Sequence, residues 1–448
     1  MLIEFSIGNF KSYKDISTIS LLASSDSTHL TTNVVDYPLQ SAQKDRRMNI
    51  LKSAVLYGAN ASGKSNLFDA LKFVKYFVFN SSKNMQVSET IPTETCKVST
   101  SSESEPSHFE LIFTHEKILY RYGFDVNSEK VVNEWLFFSP KGKEAKLFIR
   151  EGQNFQLGEY FKEGKGLDEK TRENALFLSV CAQFNGEIST KVLKWFSSFN
   201  VISGIEDKSY LKFTLDQLGN EIFLNELKNF LQIADVGIED INFEQRSVDI
   251  DEIPDEIKDL FLKNKLMGKN KVDSIKEDIK VKAIENKFRF MHRQFDRKGQ
   301  PGQVVPFTLE EESQGTQKLF ALSGPLIDTL KYGKTLFIDE LDTRLHPLIT
   351  QFILRLFHSE EKNPNNAQLI CATHDVQFLS NRIFRRDQIW FTEKNKYNVT
   401  DLYSLSDYSV RKDATFNKDY ILGKYGAVPY VSDRSVLYGT KNESEEEE

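Results

Sequence analysis

The segment GANASGKS at residues 58–65 constrains this chain most, because it fits the phosphate-binding loop pattern G-x-x-x-x-G-K-[ST] without a mismatch. Residues 53–57 predict a buried strand before it, and residues 66–74 carry the apolar spacing of a helix after it. A strand, a glycine loop and a helix N-terminus together direct backbone N–H groups at a phosphate. The sequence therefore predicts an α/β fold that binds ATP with Mg²⁺. The residues expected around the nucleotide are Gly58, Asn60, Ala61, Ser62, Gly63, Lys64, Ser65 and Asn66.

A loop of this kind needs an acidic strand end as its partner, and residues 335–340 supply one. Asp339 stands where a carboxylate joins the Ser65 hydroxyl in holding Mg²⁺. Glu340 stands where a carboxylate can orient and deprotonate the attacking water. His374 ends the next apolar strand, and at the carboxyl edge of a parallel sheet we expect it to face the γ-phosphate.

A second anion-binding end is predicted at residues 312–318, where the small polar loop ESQGTQK opens a helix. One copy of the chain does not need two anion-binding helix N-termini to bind one phosphate. Two copies arranged head to tail would each close over the γ-phosphate of the other, which predicts a homodimer or a higher homo-oligomer. The loop residues expected to act in trans are Ser313, Gly315 and Thr316.

Composition limits the remaining alternatives. The 448 residues carry a net charge of −7, which argues against a surface that is a nucleic-acid platform throughout but leaves a local basic stripe open. No apolar run or leader predicts a membrane span or signal peptide. The three cysteines have no metal-like spacing, as expected of a reduced, cytoplasmic protein.

The organisation of the chain follows from the order of these patterns. Alternating apolar residues at 108–150 predict an antiparallel meander, and the polar residues 23–50 predict a surface loop. The Lys/Glu-rich segment 263–286 lacks the heptads of a coiled coil. Apolar spacing predicts a helix at 253–261 before it and a strand at 288–292 after it. The predicted domains are a 1–186 N-terminal ATPase lobe with the phosphate loop and meander, a 187–305 inserted, mainly helical subdomain, a 306–435 C-terminal ATPase lobe, and a 436–448 acidic tail free in solvent.

These elements, in this order, resemble the ABC-type ATPases of the SMC/RecF branch. The opening NFKSY at residues 9–13 is similar to the start of that branch, whose residues lie near the nucleotide. The resemblance therefore adds Lys11 to the expected nucleotide-binding set. It also makes Gln183 the glutamine that joins the metal to the second lobe.

A narrower resemblance is to the compact bacterial ATPases typified by RloA, AbiL and the AriA subunit of PARIS. It rests on ESQGT at 312–316, LDTRLHP at 341–347 and DYILGKYGAVP at 419–429. Those ATPases belong to anti-phage or abortive-infection systems, which implies a phage trigger protein and a partner nuclease or toxin. Thr316 stands where transporters have a second glycine, which argues against a transporter subunit.

Two other functions compete with this one. A DNA-repair ATPase of the RecF type would bind DNA through a basic face in a salt-sensitive manner. The acidic composition and the lack of long coiled-coil arms weigh against it. A structural module with an inactive site conflicts with the joint retention of Lys64, Ser65, Asp339, Glu340 and His374.

Overall fold

The computed structural model describes residues 1–41, 46–234, 237–249, 282–411 and 414–429. One compact unit combines the described residues of 1–206 with those of 328–429, and the other comprises the described residues of 207–327. Among the residues described, no helix has the length and apolar character needed to cross a membrane.

The strands and helices of these residues are numbered in chain order. The strands are β1 Leu2–Gly8, β2 Ser17–Ser20, β3 Val34–Pro38, β4 Arg47–Leu51, β5 Ser53–Tyr57, β6 Ser107–His115, β7 Ile118–Val126, β8 Val131–Ser139, β9 Ala145–Glu151, β10 Asn154–Leu157, β11 Phe199–Ser203, β12 Asp240–Asp249, β13 Lys282–Phe295, β14 Pro301–Phe307, β15 Thr335–Asp339, β16 Gln368–Ala372, β17 Ile389–Lys394 and β18 Thr400–Ser404. The helices are α1 Leu30–Asn33, α2 Lys64–Asn80, α3 Phe177–Gln183, α4 Glu187–Ser197, α5 Lys208–Gln217, α6 Glu221–Ile233, α7 Gln314–Tyr332, α8 Pro347–His358 and α9 Phe416–Ile421.

The first unit is built on two large sheets. One has the order β10-β9-β8-β7-β6-β1-β2 and is antiparallel throughout. The other has the order β11-β15-β16-β5-β17-β18 and is parallel except for the final β17–β18 pair. Every residue of β5, β15 and β16 is buried, as continuous apolar strands of a covered parallel sheet should be. The predicted α/β fold with an antiparallel β subdomain is confirmed.

Helix α2 joins the two sheets directly after the phosphate loop. Phe68 packs edge-on against Phe337 of β15, with 6.4 Å between ring centroids. Five residues further on, Phe73 packs against Phe109 of β6, with 5.1 Å between ring centroids. Burial of a phenylalanine side chain contributes about 1.5–3 kcal/mol. These contacts therefore fix the start of α2, and with it the loop, against both sheets.

The interpretation of residues 23–50 as a surface loop is wrong. The segment contains α1 and the paired strands β3 and β4, in a register that matches Val34 with Leu51 and Val35 with Ile50. These four side chains are buried, whereas most residues around them are polar and exposed. Strands β3 and β4 bury too few apolar side chains to show a strand period in the sequence. Backbone hydrogen bonds, which the sequence pattern does not show, hold most of this pair together.

The second unit contains α5, α6 and the antiparallel sheet β12-β13-β14. The strand predicted around residues 288–292 is present in β13, where Phe288 and Phe290 pack against Phe320 of α7. The term "mainly helical" does not fit the described part of 187–305, because β-branched and aromatic residues pair there as a sheet. Residues 187–206 belong to the first unit, since β11 pairs with β15. The helix predicted at 253–261, most of the Lys/Glu-rich segment and the acidic tail lie outside the described residues.

Candidate nucleotide-binding site

The phosphate loop connects β5 to α2, and its backbone is shaped for an anion. Gly63 caps α2 with a φ of 114°, in the left-handed region that favours glycine. A Cβ at Gly63 would also overlap the Thr400 hydroxyl. This conformation directs the N–H groups of the first turn of α2, which have no partner within the helix, to one point beyond its N-terminus.

The Lys64 ammonium is held inside the loop. It donates hydrogen bonds to the carbonyl oxygens of Gly58 at 2.8 Å and Ala59 at 3.1 Å. Burial lowers the pKa of Lys64, and the charges of Asp339, Glu340 and the nearby Asp342 oppose that shift. The cation therefore lies between the loop and a group of carboxylates, where a phosphate oxygen can replace the two carbonyls as its partner.

Asp339 ends β15 with an exposed fraction of only 8%. Burial raises the pKa of Asp339, whereas its hydrogen bond with Ser65 acts in the opposite direction. Its Oδ1 atom is buried without a hydrogen-bond partner among the described residues. A carboxylate and a hydroxyl are ligands that Mg²⁺ prefers, and this ion usually keeps water and substrate phosphate as its other ligands. The unpaired oxygen beside Ser65 therefore fits the predicted ion.

Glu340 projects from a special backbone position. Its φ is 55°, which is uncommon for a glutamate, and its Oε2 accepts a hydrogen bond from the Thr343 hydroxyl at 3.2 Å. Gly204, directly after β11, donates its N–H to the Asp339 carbonyl at 2.6 Å. A Cβ at Gly204 would overlap the Glu340 carbonyl oxygen. Neighbouring backbone thus holds the turn that presents the Glu340 carboxylate.

His374 follows β16 and is exposed. Its main-chain N–H donates to the two carboxylate oxygens of Asp342 at 3.3 and 3.4 Å. The next residue, Asp375, accepts a hydrogen bond at its carbonyl from the Tyr57 hydroxyl at 3.2 Å. Because Tyr57 is the last residue of β5, this bond ties the His374 loop to the start of the phosphate loop.

A single cleft with a volume of ≈ 440 Å³ contains most of the predicted site. Its lining residues are Asn60, Ala61, Ser62, Gly63, Lys64, Ser65, Asn66, Glu340, His374 and Lys394. The phosphate loop, Glu340 and His374 are far apart in the chain. The parallel order β15-β16-β5 brings them together at one edge of the sheet. Lys394, at the end of β17, was not predicted.

Lys11 and Gln183, which the resemblance adds to the site, are not among the described residues that line this cleft. Lys11 donates from its ammonium to Asp69 at 2.8 Å and lies 3.6 Å from Glu94. Burial acts to lower the pKa of Lys11, but its bonds with these two carboxylates prevail and raise it. The prediction that Lys11 contacts the nucleotide is therefore not supported by its position. Gln183 is exposed at the end of α3, outside the described residues that line the cleft.

The residues that follow Lys11 contact the phosphate loop instead. The Tyr13 hydroxyl donates to the Gly63 carbonyl at 3.1 Å. The Ser12 hydroxyl accepts a hydrogen bond from the Asn66 side chain at 2.6 Å. Lys11 has a left-handed φ of 50°, so the turn points its side chain away from this contact. The opening motif thus supports the loop through its serine and tyrosine.

The predicted signature loop lies in the second unit, at the start of α7. The Ser313 hydroxyl accepts the Thr316 N–H at 3.1 Å and lies 2.9 Å from the Thr316 hydroxyl. His292 of β13 places its Nε2 atom 2.5 Å from a carboxylate oxygen of Glu312. Ser313 therefore caps α7, and its predicted action in trans stays a prediction.

The hairpin formed by β17 and β18 packs against the phosphate loop. A hydrogen bond of 2.7 Å joins the hydroxyls of Thr392 and Ser62. The Thr400 hydroxyl donates to the Ser62 carbonyl at 2.8 Å. A Cβ at Gly58 would overlap the Thr392 carbonyl. Sequence reasoning missed these contacts, because isolated threonines in a strand carry no signal of the loop they face.

Comparison with solved structures found similar chains at low sequence identity. The SmcHead bound to the C-winged helix domain of ScpA is 12% identical, with a TM-score of 0.40 over 90% of this chain and 97% of that chain. The recombination mediator protein RecF in its ATPrS complex is 14% identical, with a TM-score of 0.33 over 90% and 98%. The cbiO1 protein of Clostridium perfringens, part of an ABC transporter complex, is 11% identical, with a TM-score of 0.27 over 88% and 90%.

Comparison with curated proteins found no match. One family model matches residues 53–380, and its description is "AAA domain, putative AbiEii toxin, Type IV TA system". The matched range begins with β5 and includes the phosphate loop, Glu340 and His374. Because it covers more than half of the chain, the chain belongs to this family of AAA domains.

Proposed function

We propose that this protein binds and hydrolyses ATP and works as a dimeric switch. The observation that carries the proposal is the shared cleft of Lys64, Glu340 and His374, with the unpaired Asp339 oxygen beside Ser65. Membership of an AAA domain family supports the same activity.

Each residue of the cleft has a distinct role in this proposal. The loop N–H groups and Lys64 bind the phosphates and position them. Glu340 orients a water molecule and takes its proton, and His374 contacts the γ-phosphate from the adjacent strand end. Ser65 and Asp339 would hold Mg²⁺, which when bound neutralises charge on the phosphates.

The active form is a homodimer or a higher homo-oligomer. In it, Ser313 at the start of α7 closes over the nucleotide bound by the other copy, together with Gly315 and Thr316. Support comes from the geometry of α7, whose N-terminus carries a hydroxyl and a glycine in the manner of an anion-binding end. Two such sites per dimer make ATP the link between the copies.

The biological role we propose is that of a cytoplasmic sensor and regulator in an anti-phage, abortive-infection system. ATP-dependent dimerisation would respond to a phage trigger protein and control a partner nuclease or toxin. Support comes from the family description, which names an AbiEii toxin and a type IV toxin–antitoxin system. The narrower resemblance to RloA, AbiL and the AriA subunit of PARIS agrees with it.

The first test is the Glu340→Gln variant. It should bind ATP as the wild type does, lose hydrolysis by about 10²–10⁴-fold and accumulate as an ATP-bound dimer. Glu151→Gln, at an exposed carboxylate that ends β9, serves as the control and should hydrolyse ATP normally. A Glu340→Gln protein that stays monomeric with ATP contradicts the proposed switch.

The second test is co-purification with the product of the neighbouring gene, with and without ATP. ATP-dependent association with a nuclease or toxin supports the regulatory role. DNA binding that responds to ATP and falls with salt, without control of an effector, favours the RecF-type alternative instead.

A further inference from the structure

Lys394 is a cation in the cleft that belongs to none of the sequence motifs. It lies at the end of β17 and lines the cleft together with Lys64, Glu340 and His374. In the part of the chain that the structure describes, its ammonium has no hydrogen-bond or ion-pair partner. Lys11 differs in this respect, because Asp69 and Glu94 already occupy its ammonium.

The backbone of Lys394 is held firmly against the phosphate loop. Lys394 pairs with Thr400 in the β17–β18 ladder, and Thr400 is the residue that donates to the Ser62 carbonyl. Side chains two residues apart on a strand point to the same face. Lys394 therefore shares the face of Thr392, whose hydroxyl bonds to Ser62.

The opposite face of the hairpin is braced by the C-terminal segment. Glu393 points away from the loop and accepts a hydrogen bond from the Tyr403 hydroxyl at 3.0 Å. The same hydroxyl lies 2.8 Å from the Tyr425 carbonyl, and Gly426 packs directly against this pair. The hairpin thus has contacts on both faces, which fix the strand end from which Lys394 projects.

The order of the sheet separates Lys394 from the hydrolytic residues. Strands β15 and β16, which end shortly before Glu340 and His374, lie on one side of β5, and β17 lies on the other. Lys394 therefore approaches the phosphate loop from the side opposite Glu340 and His374. A cation in that position can bind a phosphate oxygen without contact with the attacking water.

We propose that Lys394 is a further phosphate-binding residue, which contacts the phosphate chain of the nucleotide from the β17 side. The inference rests on the proposed ATP-binding function. Asp339 and Glu340 place negative charge near the loop, and this charge repels a polyphosphate. A second cation beside Lys64 therefore stabilises the bound polyphosphate. Because Lys394 lies away from Glu340, it contributes to affinity and leaves proton transfer unchanged.

The test compares Lys394→Gln with Lys396→Gln. Lys396 is an exposed lysine of the same hairpin, whose ammonium lies 5.0 Å from the centre of the Tyr397 ring rather than in the cleft. We expect Lys394→Gln to raise the Kd for ATP and for ADP by about three- to tenfold, with kcat unchanged at saturating ATP. The loss should shrink at high salt, and Lys394→Arg should restore most of the affinity.

Other results separate the inference from the function on which it rests. An unchanged Kd in Lys394→Gln, an equal loss in Lys396→Gln, or a loss of kcat at unchanged Kd each overturns the role of Lys394. If the wild type binds ATP and Lys64→Ala does not, the proposed binding of ATP stands whatever Lys394→Gln shows. A wild-type protein that binds no ATP contradicts both.

Discussion

Gly204 lies so close to Glu340 that a Cβ at Gly204 would overlap the Glu340 carbonyl oxygen. The Gly204 N–H also donates to the carbonyl of Asp339 at 2.6 Å. Glu340 itself has a left-handed backbone, a conformation that surrounding structure must hold in place. Strand β11, through the residue that follows it, therefore sets the position of the proposed catalytic carboxylate.

Gly204→Ala should consequently impair hydrolysis more than binding. The added methyl group must displace the Glu340 turn, and displacements of about 1 Å at a reacting group cost on the order of 10²-fold in rate. We expect kcat to fall by about 10- to 100-fold, with a Kd for ATP close to that of the wild type. Steady-state kinetics and equilibrium binding measure the two effects.

Gly152→Ala is the control for this substitution. Gly152 has a φ of 57°, and no heavy atom among the described residues lies within 4 Å of the position of its Cβ. The alanine there brings only backbone strain, of about 1–2 kcal/mol, and should leave kcat unchanged. Equal losses of kcat in both variants contradict a positioning role for Gly204.

The C-terminal segment offers a pair of matched glycines. Gly426 has a φ of 66°, and a Cβ there would lie 2.6 Å from Glu393 Oε2 and 2.7 Å from the Tyr403 hydroxyl. Gly423 has a φ of 74°, but its nearest contact would be an ordinary 3.6 Å to Val428. Gly426→Ala should therefore break the bond between Tyr403 and Glu393 and loosen the β17–β18 hairpin.

We expect both glycine variants to lose about 1–2 kcal/mol of stability from backbone strain, and Gly426→Ala to lose more. Only Gly426→Ala should also weaken ATP binding, since the hairpin supports the phosphate loop through Thr392 and Thr400. Thermal unfolding and ATP titration report the two effects. If Gly423→Ala weakens ATP binding as much, strain in the turn and not the hairpin contact is responsible.

The sequence predicted the central site because its signals are local. The phosphate loop, the acidic strand end and His374 each follow an apolar strand, and parallel strands bring their carboxyl ends to one edge. Gly204, Thr392 and Lys394 were missed, because their roles come from contacts with residues far along the chain. The residues next to them in the sequence do not indicate these contacts.

The position of Lys11 has an equally physical cause. Lys11 was assigned to the nucleotide by resemblance, yet it lies in a turn with positive φ. In such a turn the alternation of a strand no longer tells which way a side chain points. The polar residues 23–50 were misread for a related reason, since β3 and β4 bury too few side chains to show a period.

A buried histidine makes stability depend on pH. His358 ends α8, and its Nε2 lies 2.8 Å from the Ser53 hydroxyl. Burial, with a smaller contribution from the Lys52 charge, lowers the pKa of His358 to about 3. Below pH 6.5 the unfolded chain therefore binds a proton that the folded chain does not bind. The free energy of unfolding should fall as the pH decreases from 6.5 toward 3.

The expected size is about 2 kcal/mol between pH 6.5 and pH 5 from this group alone. Urea unfolding at several pH values measures it, and His358→Gln should flatten the profile in this range. His374→Gln, at an exposed histidine of the same chain, is the control for the substitution itself. A slope that persists in His358→Gln assigns the acid sensitivity to other groups.

The proposed dimer predicts that two inactive variants restore each other. Lys64→Ala removes the phosphate loop of its own copy, and Ser313→Arg removes the loop that closes over the other copy. In a mixed dimer, one site combines the two defects and the other combines two intact halves. Random mixing makes about half of the dimers mixed, so about a quarter of the wild-type ATPase activity should return.

The control mixes Lys64→Ala with Glu340→Gln. Both residues line the cleft of a single copy, so every site in this mixed dimer retains one defect and activity should stay absent. Each variant is first measured alone, and the mixture is incubated before ATP is added so that subunits exchange. Recovery in the first mixture and not in the second requires a site shared between copies. Equal recovery in both, or recovery in neither, contradicts the predicted role of Ser313 in trans.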